Sequence, residues 1–327
     1  MISVVIPLYN KAAHIGHTLE SVLRQTSPVA EVIVVDDGST DGGAAIVQEF
    51  TGRSVRLIQQ TNQGVSAARN RGLAEATEPY VAFLDADDEW LPEHLATLRS
   101  LICDFPTASL WSTFYVVRRN GKYHLPPAPF SSGWRGIVNP FFEAYAKAWC
   151  LGIVCASTCC VRKEHLLAVG GFPLGVRYGE DCITWFKLAL RFPVAHEETV
   201  TAIYNQDAEN RCGSPITYDP LAFLVELLRS PETPRAHHRG IQACFQRIAL
   251  KALIKAKIQQ VPIATRTLLR LAWQGKSYSV ILLLSLWNAL PAGLLKRVIL
   301  LYEQHQQHLA QVTFSDREGH LSSLPQC

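Results

Sequence analysis

The sequence predicts an α/β fold: a mostly parallel sheet with helices on both faces, followed by a C-terminal helical region. Three observations predict it. Short apolar, β-branched runs alternate with helix-patterned stretches over residues 3–84, the joins between them are short, and the charge balance reverses near residue 232. Alternation of this kind, with short connections, is the pattern of a parallel sheet covered on both faces.

Residues 3–7 form an apolar, β-branched run and read as a buried strand. Residues 14–25 have helical spacing through Ile15, Leu19, Val22 and Leu23. A second strand over 31–35 is closed by the turn-forming run Asp36-Asp37-Gly38-Ser39-Thr40-Asp41-Gly42, and a helix over 43–50 follows. A third strand covers 55–59, and Asn62-Gln63-Gly64-Val65-Ser66 opens a helix of small residues over 67–76. Residues 80–84 make the fourth strand. Tyr9, Asp36, Asp37 and the acids from Asp85 to Asp88 all fall beyond strand carboxyl ends. Open α/β sheets bind their ligands along that edge.

The middle of the chain is less regular. Residues 109–117 alternate as a strand and Asn120-Gly121 signals a hairpin. Residues 126–129 read as a loop, 156–162 as a strand, and 163–169 as a short helix closed by Gly170-Gly171. Residues 172–179 form a glycine-rich loop, Glu180-Asp181 starts a helix over 182–191, and 194–204 reads as a strand pair or a strand plus turn.

A chain of 327 residues that is 48% hydrophobic has ample material for a core, which excludes a disordered chain. Met1-Ile2-Ser3-Val4-Val5-Ile6-Pro7 lacks a basic start and a small-residue cleavage site, so it reads as a strand and not a secretion signal. Nine cysteines, an odd number, include the adjacent Cys159 and Cys160 and no Cys-x-x-Cys pair. That pattern fits reduced thiols in the cytosol and argues against a zinc site.

The acids after Leu84 pose a physical problem, because Asp85, Asp87, Asp88 and Glu89 crowd like charges together. Either they lie in solvent and cap the next helix, or they hold a divalent cation against a phosphate-bearing ligand. Hard oxygen donors suit Mg²⁺ or Mn²⁺. Taken by itself the stretch favours the first reading.

The rest of the chain shifts that balance. Val4-Val5-Ile6-Pro7-Leu8-Tyr9-Asn10, Val34-Val35-Asp36-Asp37-Gly38-Ser39-Thr40-Asp41, Asn62-Gln63-Gly64-Val65-Ser66-Ala67-Ala68-Arg69-Asn70-Arg71-Gly72 and Phe83-Leu84-Asp85-Ala86-Asp87-Asp88 occur in order. With Gly170-Gly171-Phe172 and Gly179-Glu180-Asp181, they resemble the inverting family 2 glycosyltransferases of the GT-A nucleotide-sugar-binding fold. The resemblance covers about residues 1–210.

It implies transfer of a single sugar from a nucleotide sugar, UDP-linked, to a saccharide or lipid-linked saccharide acceptor, with Mn²⁺ or Mg²⁺ as cofactor. By resemblance Asp37 binds the base, with Tyr9 and Pro7 as its wall, and Asp85-Ala86-Asp87 is the Asp-x-Asp motif. Asp85 then contacts the ribose or a metal-bound water, and Asp87 binds the metal. Arg69 and Arg71 point to different helix faces. One of them, Arg69, is a candidate for the pyrophosphate, although a carboxylate-paired arginine suits it equally. Asp181 is the implied catalytic base and Glu180 its acceptor- or sugar-binding neighbour, and the helix dipole is expected to lower the pKa of such an acid. Trp185, one turn on, suits either an acceptor wall or the core, and Arg211 is a candidate for the diphosphate. The family often carries an acid after the Tyr-Asn pair; here it is Lys11. No Gln-x-x-Arg-Trp signature of processive synthases occurs, which favours single transfer over polymerisation. A non-catalytic nucleotide-sugar-binding or scaffold subunit is the alternative, and the intact Asp85, Asp87 and Asp181 count against it.

The charge asymmetry divides a domain over 1–232 from a basic, apolar region over 233–327. Residues 1–232 carry a balance of −6, while 233–302 carry 11 Lys and Arg and no acid. Residues 277–295 are uncharged and flanked by Lys276, Lys296 and Arg297. Such a run fits a spanning helix, an interfacial pair of helices on anionic lipid, or a soluble helical cap. The acid-free composition suits the interfacial arrangement best, and Asn288 and Pro291 weaken the spanning one. Nucleic acid would also suit the basic charge, but the run lacks a recognisable module and residues 282–284 suit lipid better, so no nucleic acid partner is expected. The expected location is cytoplasmic and peripheral, on the inner face of the membrane.

Overall fold

The computed structural model describes residues 1–52, 54–148, 153–209, 219–258, 262–275 and 277. Its first half follows the expected alternation. β1 (Ile2–Leu8) leads to α1 (Ala12–Leu23), β2 (Glu31–Asp36) to α2 (Gly43–Phe50), and β3 (Val55–Gln59) to α3 (Val65–Glu75). β4 (Tyr80–Phe83) and the short β5 (Glu89–Trp90) precede α4 (His94–Asp104). Then come β6 (Leu110–Arg119), β7 (Lys122–His124), β8 (Arg135–Ile137) and α5 (Phe141–Lys147). A 3-10 turn (Ala156–Thr158), β9 (Cys159–Arg162), α6 (Lys163–Ala168), α7 (Glu180–Arg191) and β10 (Val194–Asn205) complete the sheet. Three helices follow: α8 (Asp219–Arg229), α9 (Arg235–Ile258) and α10 (Pro262–Gln274).

The strands form one mixed sheet in the order β3-β2-β1-β4-β9-β6-β10-β5, with β7 beside β6 and β8 beside β10. β3, β2, β1 and β4 run parallel, as do β6 and β10. β9 is antiparallel to both of its neighbours and joins the two parallel blocks. Residues 194–204 are thus one long strand, not a pair; the irregular pattern comes from register shifts between Glu197 and Val200 and between Val200 and Ala202. The strand expected from residue 156 begins with the 3-10 turn.

The continuous apolar run of β1 is explained by burial on both faces. Val5, with Ile33, Val35, Val81 and Phe83, packs in the cluster that also takes Ala68, Leu73, Trp185 and Phe186. Val4 and Ile6, with Val32, Val34 and Leu84, pack in the cluster that takes Leu19 of α1, Val47 of α2 and Leu98 of α4. Helices therefore cover both faces.

The turn between α8 and α9 carries the change in charge, but apolar packing runs across it. Ile241, Cys244 and Phe245 of α9 and Leu268 and Leu271 of α10 share a cluster with Val5 and Phe83. α9 lies so close to α5 that a Cβ on Gly240 would fall 2.7 Å from the Cβ of Phe142. No helix among the described residues is long and apolar enough to cross a membrane. Residues 278–295 of the proposed lipid-facing run lie outside the described residues.

α3 lies close against β1 at Gly72. A Cβ on Gly72 would stand 2.3 Å from Cγ1 of Val5. The small-residue helix is thus a requirement of packing. Gly72→Ala should lower stability by about 1–3 kcal/mol, the usual cost of overpacking, measured by chemical denaturation.

Candidate active site

The ends of β1 and β2 are tied together by short polar side chains. Asn10 takes a left-handed φ of 51°, a conformation that asparagine tolerates better than most residues. Its N–H donates to Ser39 Oγ at 3.0 Å, and its Oδ1 accepts from Thr40 N–H at 2.8 Å. Asp36 accepts from Ser39 N–H at 3.0 Å, and Asp41 accepts from Ala12 N–H at 2.7 Å, at the start of α1. Tyr9 beside this junction is 49% exposed and free to stack on a flat ligand. Pro7, the other expected wall, is buried in β1, paired with Val35 of β2.

Asp37 has a different setting from the one expected. It is buried, and its carboxylate accepts from Gln63 N–H at 2.9 Å, Gly64 N–H at 2.8 Å and Gln60 Nε2 at 2.8 Å. In this arrangement Asp37 shapes the loop that opens α3. Three donors leave little of its hydrogen-bonding capacity for a base.

The acidic turn after β4 is held from beneath. Thr18 Oγ1 of α1 lies 3.0 Å from the carbonyl of Ala86 and 2.8 Å from that of Asp88. Ala86 is buried and offers the turn its backbone. Ser157 Oγ accepts from Asp85 N–H at 3.1 Å and donates to Asp88 Oδ2. Asn205 N–H donates to Asp88 Oδ1 at 2.9 Å. Burial, with Asp87 and Asp85 adding to it, pushes the Asp88 carboxyl well above the usual carboxylate range. Asp88 is therefore a support of the turn, and Asp85 and Asp87 are left at the rim.

Each rim acid faces a cation. Asp85 Oδ1 pairs with Arg69 Nη2 at 2.7 Å, and Asp87 Oδ2 pairs with Lys11 Nζ at 2.7 Å. Arg69 is buried, and its Nη1 also pairs with Glu180 Oε1 at 2.7 Å. Its guanidinium lies 5.3 Å from the ring centroid of Phe172. Burial works against its charge, but Asp85 and Glu180 outweigh burial and raise its pKa. Arg69 is thus the carboxylate-paired arginine of the two expected alternatives. Arg71, on the other helix face, pairs with Glu75 at 2.9 Å at the surface.

Gly179 precedes α7 with a left-handed φ of 74°, and a Cβ there would meet Pro220 Cγ at 2.5 Å. Glu180 is committed to Arg69 by its ion pair, a positioning role rather than an open contact. Asp181 is half-buried, and its Oδ1 accepts from Cys182 N–H at 2.7 Å. Its pKa is raised, first by burial and further by Asp85, against the opposing pull of Arg69. The expected lowering by the helix terminus is outweighed by desolvation. Trp185 has no exposed surface and packs in the core at 5.7 Å from the Phe172 ring. It therefore cannot wall an open acceptor site: one turn of helix from Asp181 carries it inward. Arg211 lies outside the described residues.

Sequence reasoning missed Thr18, Ser157 and Asn205, which shape the acidic turn from three remote segments. Only Lys11 carried a signal, as a departure from the expected acid. Among the described residues no group of three or more His, Cys, Asp or Glu forms a metal cage. Asp87 nevertheless supplies a hard oxygen donor of the type Mg²⁺ or Mn²⁺ takes alongside phosphate oxygens, so the acids present fit an ion shared with a phosphorylated ligand.

Residues 3–169, more than half of the chain, match the family described as Glycosyl transferase family 2. The chain belongs to this family. A relative in Bacillus subtilis (strain 168), TuaG, named provisionally as a teichuronic acid biosynthesis glycosyltransferase, is 35% identical over 124 residues, 37% of this chain and 49% of its own length. Other curated relatives are matched over only 30% of their length. S. aureus TarS 1–349, solved in complex with UDP-GlcNAc, has a similar fold with a TM-score of 0.66 and 21% identity, over 83% of this chain and 81% of that one. A mannosyltransferase from Pyrobaculum calidifontis, solved with GDP-Man and Mn²⁺, has a TM-score of 0.53 and 22% identity, over 86% and 84% of the two chains. This family 2 chain therefore has the GT-A fold, and its Asp85 turn and its Gly179-Glu180-Asp181 segment come together through Arg69.

Arg69→Ala would leave Asp85 and the buried Glu180 without their cation. It should cost about 3–5 kcal/mol of stability, the usual price of breaking a buried pair, read from denaturant unfolding. Arg71→Ala should change stability by no more than about 0.5 kcal/mol.

Proposed function

We propose that this chain transfers a single sugar, with inversion, from a nucleotide sugar to a saccharide or lipid-linked saccharide in the building of a polysaccharide or glycolipid. The observation that carries the proposal is the Arg69 bridge, which fastens the acidic turn at the end of β4 to the start of α7, where Asp181 stands. Membership of family 2 supports glycosyl transfer, and the fold shared with a UDP-GlcNAc-bound structure supports a UDP-linked donor. TuaG's name supports a polysaccharide acceptor.

The donor base stacks on exposed Tyr9, near Asp37 and the loop it shapes. Asp85 would contact the ribose or a water of the ion, and Asp87 would hold Mn²⁺ or Mg²⁺ beside the diphosphate. The bound ion supplies positive charge to the departing nucleoside diphosphate. Asp181 accepts the proton of the acceptor hydroxyl as that oxygen attacks the anomeric carbon and the bond to the diphosphate breaks. Direct displacement of this kind inverts the anomeric centre. A carboxylate of raised pKa is the stronger base once it is ionised, which suits Asp181 to this role.

Asp181→Asn should reduce turnover by about 10²–10⁴-fold with UDP-sugar affinity nearly unchanged, as measured by initial rates and calorimetry. Retained turnover would reject Asp181 as the base. Because the working form is deprotonated and the folded pKa is raised, activity should be lost as pH falls through a value above the ordinary aspartate figure of ~3.9. The acid limb of the kcat/KM profile reads this.

We further propose that the basic C-terminal region places the enzyme on the cytoplasmic, anionic face of a membrane. Its support is α10, where Arg266, Arg270 and Trp273 are exposed at helical spacing, Trp273 at 71%. Deleting 233–327 would strip α9 and α10 from the shared core, so point substitutions are the sound test. Arg266→Glu with Arg270→Glu should weaken co-sedimentation with phosphatidylserine vesicles, and high salt should do the same to the native chain. Equal co-sedimentation in all cases would reject the membrane reading.

A further inference from the structure

Lys11 stands where the family resemblance implies an acid, and its side chain reaches the acidic turn at Asp87. It stands at the N-cap of α1, just past β1. Its ammonium pairs with Asp87 Oδ2 at 2.7 Å and donates to the Glu209 carbonyl at 2.8 Å. The Lys11 and Asp87 side chains are only 12% and 14% exposed, so the pair is largely withdrawn from water. An ammonium has three N–H donors. Two are used here, and the third has no partner among the described residues.

The charges around the turn define what this lysine does. Asp85 is paired with Arg69, and Asp88 is buried with its two oxygens taking hydrogen bonds from Ser157 Oγ and the Asn205 N–H. Asp87 is then the acid whose charge remains to be met, and Lys11 meets it. A divalent ion approaching Asp87 has to displace an ammonium from the same carboxylate oxygen, or bind beside a positive charge. A nucleoside diphosphate meets the opposite field, with a cation bearing an unused donor. Lysine suits both states, since a flexible stem carrying a compact charge can move from a carboxylate to a phosphate.

We infer that Lys11 is the resident counter-ion of Asp87 in the donor site, lending its charge to the diphosphate in the absence of a divalent ion and competing with that ion for Asp87. The inference rests on the donor reading proposed above and extends it. Its consequence is an order of binding: metal alone binds weakly, and the diphosphate draws Lys11 away from Asp87 and opens that carboxylate to the ion.

The test uses the full chain, UDP and GDP as probes, and the variants Lys11→Met and Lys11→Arg. In EDTA, Lys11→Met should weaken nucleoside diphosphate binding about tenfold, the loss of roughly one charge-assisted hydrogen bond. With saturating Mn²⁺ the loss should shrink to about threefold or less, and Lys11→Arg should retain most of the native affinity in EDTA. Without nucleotide, Mn²⁺ titration followed by electron paramagnetic resonance should show about tenfold tighter binding to Lys11→Met than to the native chain. Equal losses of nucleotide affinity with and without Mn²⁺, or unchanged Mn²⁺ affinity in the variant, would overturn the inference. If the native chain binds neither UDP nor GDP in either condition, the donor reading fails and takes the inference with it. Nucleotide binding by the native chain with no effect of either substitution rejects Lys11 alone. Thermal unfolding of both variants checks that they are folded.

Discussion

The buried guanidinium of Arg69 is the interaction on which the site depends. It lies between Asp85, at the end of β4, and Glu180, at the start of α7, and touches both at 2.7 Å. Those two acids are far apart in the chain and would repel each other without it. Removing such a charge from water is costly, and two charged partners with direct hydrogen bonds are what offset that cost. The arginine thereby sets the position of the acidic turn against the helix that carries Asp181. A side chain that resembled a ligand-binding residue is, in the folded chain, the joint between the two halves of the candidate site.

A second layer keeps the acidic turn in shape. Four acids in five residues would spread apart in water. Here Asp88 is drawn inward, where Ser157 and the Asn205 amide receive it, and Thr18 holds the backbone of Ala86 and Asp88. The turn is therefore built from α1, the 3-10 turn before β9 and the end of β10 together. Lys11, at the N-cap of α1, completes the arrangement by pairing with Asp87. The result separates four similar residues into different roles by environment alone: one paired with arginine, one paired with lysine, one buried and one in the short strand β5.

The C-terminal segment shows that composition and packing can divide a chain differently. The charge balance turns from acidic to basic near residue 232, yet Ile241, Phe245 and Leu268 enter the same core as strand residues Val5 and Phe83. Arg235 and Arg239 of α9 and Arg266 and Arg270 of α10 are exposed, while Ile241, Phe245 and Leu268 of the same helices are buried. A count of charge along the sequence sees only the exposed residues.

The sequence by itself determined the alternating fold, the edge of the sheet where polar residues gather, and the short list of acids for the site. These follow from local periodicity, and from motifs whose spacing survives in the linear chain. Tertiary structure decided how those residues are used. Asp37 became a holder of the loop before α3, Trp185 went to the core, and Glu180 went to Arg69. Ser157, Thr18 and Asn205 carried no signal at all. The reason is physical: a pKa, an ion pair or a buried hydrogen bond belongs to neighbours brought together from distant parts of the chain. The acids themselves were legible in the sequence, but the environments that distinguish them exist only once the sheet is assembled.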